Sequence, residues 1–220
     1  MPLNPAKPRA AASLILLRGS GEALSVLMGR RHATSRFMPG VYVFPGGAVD
    51  AEDAGVAAAT DLDPRITPGL KVAGDARRAR ALGIAAIRET FEETGLMLGA
   101  PAQVSVPGSA PWSPWRQQGI CPDLARLRLV GRAITPARLP IRFCARFFYA
   151  RGEELRGQIR GNGELEEIGW KPLGELAALP LADVQAFMLE HLQALLQGKP
   201  ARPGIPLFTH RRGRRYVRYQ

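Results

Sequence analysis

A mixed α/β fold is the architecture this 220-residue sequence predicts, on three observations. The chain opens with a hairpin pattern, in which apolar residues 11–17 and 23–28 flank the turn Arg18-Gly19-Ser20-Gly21-Glu22. Two later segments carry a helical period instead. One runs from about residues 75–79 to Gly95, with Ile84, Ile87 and Phe91 on one side; the other covers 182–196, with Leu181, Val184, Phe187, Met188, Leu192 and Leu195 in one stripe and Gly198 beyond it. Between them, residues 141–150 are rich in Phe and Tyr and predict a strand in the centre of a sheet.

The remaining elements follow in order. Gly29-Arg30-Arg31-His32 places two cations, Arg30 and Arg31, where the second strand leaves the sheet, a position suited to phosphate contact or to plain surface charge. Phe37-Met38-Pro39-Gly40 then turns the chain into a strand, Val41-Tyr42-Val43-Phe44, which ends in a turn at Pro45-Gly46-Gly47. Residues 50–78 mix small residues, acids and prolines and read as an insertion, with a short helix around 53–59 and too little periodicity for a second core. Both a substrate-gating flap and a partner surface are open for it. Residues 101–122 are broken by Pro107, Gly108, Pro111, Pro114 and Gly119 and read as loop, with Trp112 and Trp115 expected to cap the core. Residues 124–134 predict a helical turn followed by a strand, and Trp170 a short strand before Pro172 opens a helix. From residue 199 onward a basic tail is expected, carrying one more strand at 205–209 and otherwise solvated.

Composition bounds the function. A hydrophobic fraction of 46% and a charged fraction of 22% belong to an ordinary globular protein, and the length suits one domain over 1–220. Cys121 and Cys144 have no paired spacing, which excludes a disulfide framework or a zinc site and fits reduced thiols in the cytoplasm. His32, His191 and His210 are scattered and are expected to be structural or solvated. No apolar run reaches the roughly 18–20 residues of a membrane span, and residues 1–12 lack a signal-peptide core, so neither a membrane partner nor export is expected. The net charge of +11 points to an anionic partner. A phosphorylated small molecule fits it best; the cluster His210-Arg211-Arg212-Gly213-Arg214-Arg215 comes with no nucleic-acid recognition motif.

The chemistry concentrates on the first helix. Glu89, Glu92 and Glu93 stand at i, i+3 and i+4, so three carboxylates meet on one helical face and repel one another. Arg88, four residues before Glu92, relieves part of that repulsion, and Gly95 supplies the residue expected just past the helix end. Hard oxygen ligands crowded on a rigid element suit Mg²⁺ or a similar cation, although solvated surface glutamates would show the same pattern.

Combined, these pieces resemble the Nudix hydrolases, whose box reads Gly-x5-Glu-x7-Arg-Glu-U-x-Glu-Glu-x-Gly-U, with U a bulky apolar residue. Its second half matches Arg88, Glu89, Glu92, Glu93, Gly95 and Leu96, with Thr90 at the first U, and its opening glycine matches Gly47. Gly47 and Arg88 are 41 positions apart where the usual box has fourteen, so about 27 residues are inserted. Eight positions before Arg88, where the earlier glutamate is expected, stands Arg80; Asp50 or Asp53 could substitute for it. The interrupted box, with Phe37-Met38-Pro39-Gly40, Val43-Phe44-Pro45-Gly46-Gly47, Asp50, Arg142-Phe143 and Phe147-Phe148, resembles the split-box subfamily that includes the mammalian peroxisomal acyl-CoA diphosphatase. That subfamily has Arg-Phe-Asp-Thr where this chain has Arg142-Phe143-Cys144-Ala145, and the chain finishes Arg218-Tyr219-Gln220, without a peroxisomal ending.

The resemblance implies an α/β/α sandwich with a mixed central sheet and a metal-dependent pyrophosphohydrolase that cleaves a nucleoside diphosphate linked to another moiety, most directly CoA or acyl-CoA. It implies Mg²⁺ or Mn²⁺ on Glu89, Glu92, Glu93 and the Gly46 carbonyl. Arg88 is implied to orient the glutamates, and Glu164, six residues before Trp170, to act as general base or additional ligand. The alternative is a nucleotide-sensing or RNA-binding domain of the same fold that binds without hydrolysing.

Overall fold

The computed structural model describes residues 6–108, 110–199, 202–211 and 213–220. Period-two alternation in the first strand sets the layers. In β1 (Arg9–Arg18), Leu14 and Leu16 face one core while Ile15 and Leu17 face the other, all of them buried. A strand apolar on both faces must be covered on both, and two helices do this. The long helix α2 (Ala76–Thr94; α1, Thr67–Leu70, precedes it) packs Ile84, Ile87 and Phe91 on the Leu14 side. On the Ile15 side lie Phe187, Met188 and Leu192 of α4 (Asp183–Leu196; α3 is Ser113–Gln117).

The sheet between them is nine-stranded and mixed. Its other members are β2 (Ser25–Arg31), β3 (Tyr42–Val43), β4 (Gly46–Ala48), β7 (Arg128–Ile134), β8 (Phe143–Arg151), β9 (Leu165–Pro172), β10 (Pro206–Arg211) and β11 (Arg214–Tyr219), while β5 (Gly99–Pro101) and β6 (Ile120–Pro122) form a separate pair. The order is β11-β10-β7-β8-β1-β2-β3, with β4 also on β1 and β9 also on β2. β8 lies at the centre as expected, parallel to β1 and antiparallel to β7. Trp112 and Trp115 are buried in the α2-side core, as the core-capping reading required.

Four expectations need correction. Gly46-Gly47 is not a turn but a short strand, antiparallel to β1 through Ala12↔Gly47 and Ser13↔Gly46. The carboxylate side of α2 is not an open face, since β4 and a 3₁₀ turn at Ala51–Gly55 close over it and bury Arg88 and Glu93. The segment from residue 101 to 122 contains α3 and the β5–β6 pair rather than loop alone. The basic tail is not merely solvated: β10 joins β7, and β11 forms the sheet edge.

The insertion folds onto the α2-side core through Val56 and Leu70, both buried. Buried Arg146 of β8 ties it to the sheet, its Nε and Nη2 donating to the Leu70 carbonyl at 3.1 and 2.8 Å. This is the attachment of a structural element, not of a free flap.

Candidate active site

The site is assembled where α2 crosses β4. Helix α2 begins and ends where its sequence predicts; the Asp75 carboxylate caps it by accepting from the Arg78 N–H at 3.0 Å, and Gly95 closes the C-terminus in the left-handed conformation at φ 74°. The buried Ile84, Ile87 and Phe91 fix the rotation of the helix, and Glu89 and Glu93 then meet Gly47 and Gly46 of β4.

Arg88 is the hub. Its Nε and Nη2 donate to both oxygens of Asp53 at 2.8 and 3.1 Å, a bidentate pair in which Asp53 is 1% and Arg88 4% exposed. Nη1 donates to Glu89 and Glu92, each at 2.9 Å, and Nη2 also donates to the Ala48 carbonyl at 2.9 Å. Burial alone would depress the guanidinium, but the bond to Asp53 and the charges of Glu89, Asp53 and Glu92 more than offset it and raise its pKa. Arg88 therefore stays charged and holds two of the three glutamates in place. Asp53 is the residue in which spacing left two alternatives open. Counted forward from Gly47 the box requires a carboxylate after five intervening residues, which is Asp53; the insertion thus lies after that carboxylate, not before it. Asp50 stands farther off, 3.6 Å from Arg88 Nη2, and Arg80 turns away to Asp61 and the Val56 carbonyl, each at 2.8 Å.

Both glycines of β4 are required by close approach. The Gly46 N–H donates to Glu93 Oε2 at 2.8 Å, and at φ 154° a side chain there would collide with the Ala12 carbonyl and Ser13. A Cβ at Gly47 would lie 2.5 Å from the Glu89 carboxyl. Gly47→Ala is accordingly expected to push Glu89 off Arg88 and to lower kcat by about tenfold or more, with the urea midpoint changed less than for a core truncation. Steady-state rates and urea melts check it.

The three glutamates are electrostatically unsettled. Burial pushes Glu93 up to about 8, with Glu89 and Glu164 adding to the effect against the Gly46 N–H. Burial likewise pushes Glu89 to about 7 against Arg88, and raises Glu92. Among the described residues no three acidic, histidine or cysteine side chains form a preformed cation cage. Yet each glutamate commits one oxygen, to Arg88 or to the Gly46 N–H, and keeps the other for a ligand. Three hard carboxylates that resist ionisation in one another's company fit a divalent cation, which would favour their charged forms. A carboxyl whose folded pKa lies above its unfolded value near 4.5 stabilises the fold below that value and loses this contribution as pH rises to its folded pKa. The metal-free protein is therefore expected to lose on the order of a few kcal/mol between about pH 5 and 8. Thermal melts should show Mg²⁺ raising Tm more at pH 8.5 than at pH 6.

The glutamates open into a cleft of about 710 Å³. Gly46, Arg31 and Glu164 also line it, so the structure brings these three predicted residues to Glu89, Glu92 and Glu93. Glu164 is exposed, and its backbone and carboxylate are both bonded by the Asn162 side chain. Arg30 is not brought there. It points along β9 to Glu166 at 3.5 Å and Glu167 at 3.3 Å, because successive residues of a strand face opposite ways. His210, expected to be structural or solvated, also lines the cleft, whereas His191 is buried against Phe187 and Tyr219. No residue from 54 to 78 lines the cleft, so the insertion does not gate it in this conformation.

No family model matches the chain. A Caenorhabditis elegans protein whose name assigns it to the nudix hydrolases, as number 7, is 28% identical over an alignment of 185 residues that covers 74% of this chain and 50% of its own; the chain thus spans half the length of that curated relative. A solved NUDIX hydrolase from Alicyclobacillus acidocaldarius is 29% identical and superposes with a TM-score of 0.66 over 90% of this chain and 99% of its own. The MutT protein of Bacillus halodurans, 15% identical with a TM-score of 0.52 over 95% of this chain and 97% of its own, shares the fold. Among the described residues no helix is long and apolar enough to cross a membrane. In fold the chain is similar to these Nudix proteins, and in sequence to the first two of them.

Proposed function

We propose that the chain is a metal-dependent pyrophosphohydrolase acting on a nucleoside diphosphate linked to another moiety. The observation that carries this reading is the arrangement around Arg88: two glutamates are held by a buried guanidinium, a third is held by the Gly46 N–H, and all three face a cleft of substrate size. Glu89, Glu92 and Glu93, with the Gly46 carbonyl as a further ligand, would hold Mg²⁺ or Mn²⁺. Such an ion supplies charge neutralisation for the pyrophosphate and lowers the pKa of a bound water.

The protein's own residues do the positioning. Arg88 keeps Glu89 and Glu92 aimed at the cleft and contributes no open donor to substrate, since its nitrogens are committed to Asp53, Ala48 and the glutamates. Arg31, at the end of β2, is the cation beside Glu93 and is suited to a substrate phosphate. Glu164 lies across the cleft in a solvated position, where a carboxylate can accept a proton from the attacking water or serve as an additional ligand.

CoA or acyl-CoA is the substrate this reading favours. Its support is the split-box resemblance together with the apolar wall of the cleft, where Phe37 and Phe143 meet edge to face at 5.3 Å beside Met38 and Leu139. The sensing alternative is less favoured, because a domain that only binds has no need of all three glutamates. Incubation with Mg²⁺ and a panel of CoA esters, nucleotide sugars, dinucleoside polyphosphates and NADH, read by phosphorus NMR, tests the proposal. Cleavage of the diphosphate is the expected result, and no turnover of any member would overturn it.

A further inference from the structure

The cleft has a second end that the glutamates do not reach. It runs across the sheet from β4 and β1, over β8 and β7, to β10, where Phe208 and His210 form its wall. Three strand spacings separate β1 from β10, on the order of 14 Å. Negative charge thins out along this path. At the near end stand five carboxylates, Asp50, Glu89, Glu92, Glu93 and Glu164, with Arg31 and Arg88; at the far end are Arg138, from the loop between β7 and β8, His210 and Asp183.

The hairpin that builds this far end is the basic segment left without a role by the sequence. Arg138 reaches its turn, with Nη1 3.7 Å from where a Cβ on Gly213 would stand. The acidic residue here is Asp183, whose Oδ2 lies 3.4 Å from His210 Nε2, so it engages the imidazole by one nitrogen. Among the described residues Arg138 has no carboxylate at ion-pair distance, and both Arg138 and His210 open to the cleft. Between the two ends the floor is apolar, formed by Ala145, Phe147, Phe143 and Ile134, a surface for the faces of a base and a ribose. A second anion at the near end would meet five carboxylates against Arg31 and Arg88, whereas the far end offers a guanidinium that, among the described residues, has no carboxylate at ion-pair distance, and one carboxylate, Asp183, already engaged by His210.

We propose that Arg138 and His210 form a subsite for a phosphomonoester carried on the nucleotide half of the substrate, so that preferred substrates bear a phosphate in addition to the diphosphate that is cleaved. This rests on the pyrophosphohydrolase reading above and deepens it. A guanidinium matches a phosphate dianion with two parallel donors, and His210, held through Nε2 by Asp183, lines the same end of the cleft.

The test pairs substrates that differ by one ribose phosphate, CoA with 3′-dephospho-CoA and NADPH with NADH, assayed with Mg²⁺ for the protein and for Arg138→Ala, Arg138→Lys and His210→Gln. The unsubstituted protein should show a KM about tenfold lower for the phosphorylated member of the pair it turns over. Arg138→Ala should erase that preference by raising only this KM, with kcat within about twofold, and Arg138→Lys should restore part of it. Equal KM values in the unsubstituted protein, or a preference that survives Arg138→Ala, would overturn the subsite. A second arm measures binding of adenosine 3′,5′-bisphosphate and adenosine 5′-monophosphate to the metal-free protein by calorimetry. Tighter binding of the bisphosphate, lost in Arg138→Ala, supports the subsite; equal binding, or none, counts against it. If no diphosphate is hydrolysed at all, the hydrolase reading fails and this arm alone decides the subsite.

Discussion

Replacing Glu93 by glutamine is expected to lower kcat by at least about a hundredfold while the fold survives. Glu93 is 2% exposed, and the amide is nearly isosteric with the carboxyl, so packing changes little. An amide oxygen can still accept from the Gly46 N–H, which donates to Oε2 at 2.8 Å. What disappears is one of the three anionic ligands proposed for the metal. The same change removes a charge that burial disfavours, its carboxyl being pushed to about 8. The metal-free variant should therefore melt higher than the parent at pH 8.5, whereas added Mg²⁺ should stabilise it less. A slower enzyme with a higher metal-free Tm separates ligand loss from misfolding, and an unchanged rate would show that Glu93 is not part of the metal site.

The largest effect on stability should come from Arg88→Met. The substitution fills much of the same volume but leaves Asp53, 1% exposed, with its charge uncompensated. Breaking a buried pair in this way costs about 3–5 kcal/mol, far more than an exposed pair contributes. Urea unfolding should show that loss, and adding Asp53→Asn should recover a substantial part of it, since the amide removes the stranded charge. The rate should fall as well, because Glu89 and Glu92 lose the donor that orients them at 2.9 Å. If the double variant is as unstable as Arg88→Met alone, the Asp53 charge is not what the arginine offsets.

The parts of this site that were legible in the sequence are those fixed by local spacing. The start of the helix near residue 75, its close at Gly95 and the i, i+3, i+4 spacing of the glutamates depend on helical geometry alone, and all stand where the sequence put them. What failed depended on contacts distant in the chain. Gly46 and Gly47 read as a turn because glycine is depleted in strands; pairing with Ala12 and Ser13 makes them one. Asp53 stood only as one of two alternatives, since the count back from Arg88 crosses the insertion and arrives at Arg80. The C-terminal arginines read as a solvated tail, yet Phe208 and Val217 pair across the hairpin and pack into the α4-side core, while Arg211 and Arg214 remain on its exposed end. Clustered charge masked a strand whose apolar residues are few but correctly phased.

The Asp53–Arg88 pair also has a topological consequence. It clasps the two ends of the inserted segment together, so the site sees the segment only through its closure, and the entropy of closing a loop rises with no more than the logarithm of its length. Residues added or removed at the exposed Pro64 and Arg65 are expected to put little strain on the glutamates. A box interrupted at this one place can remain a working box whatever grows in the gap, provided the clasp on either side of it is kept.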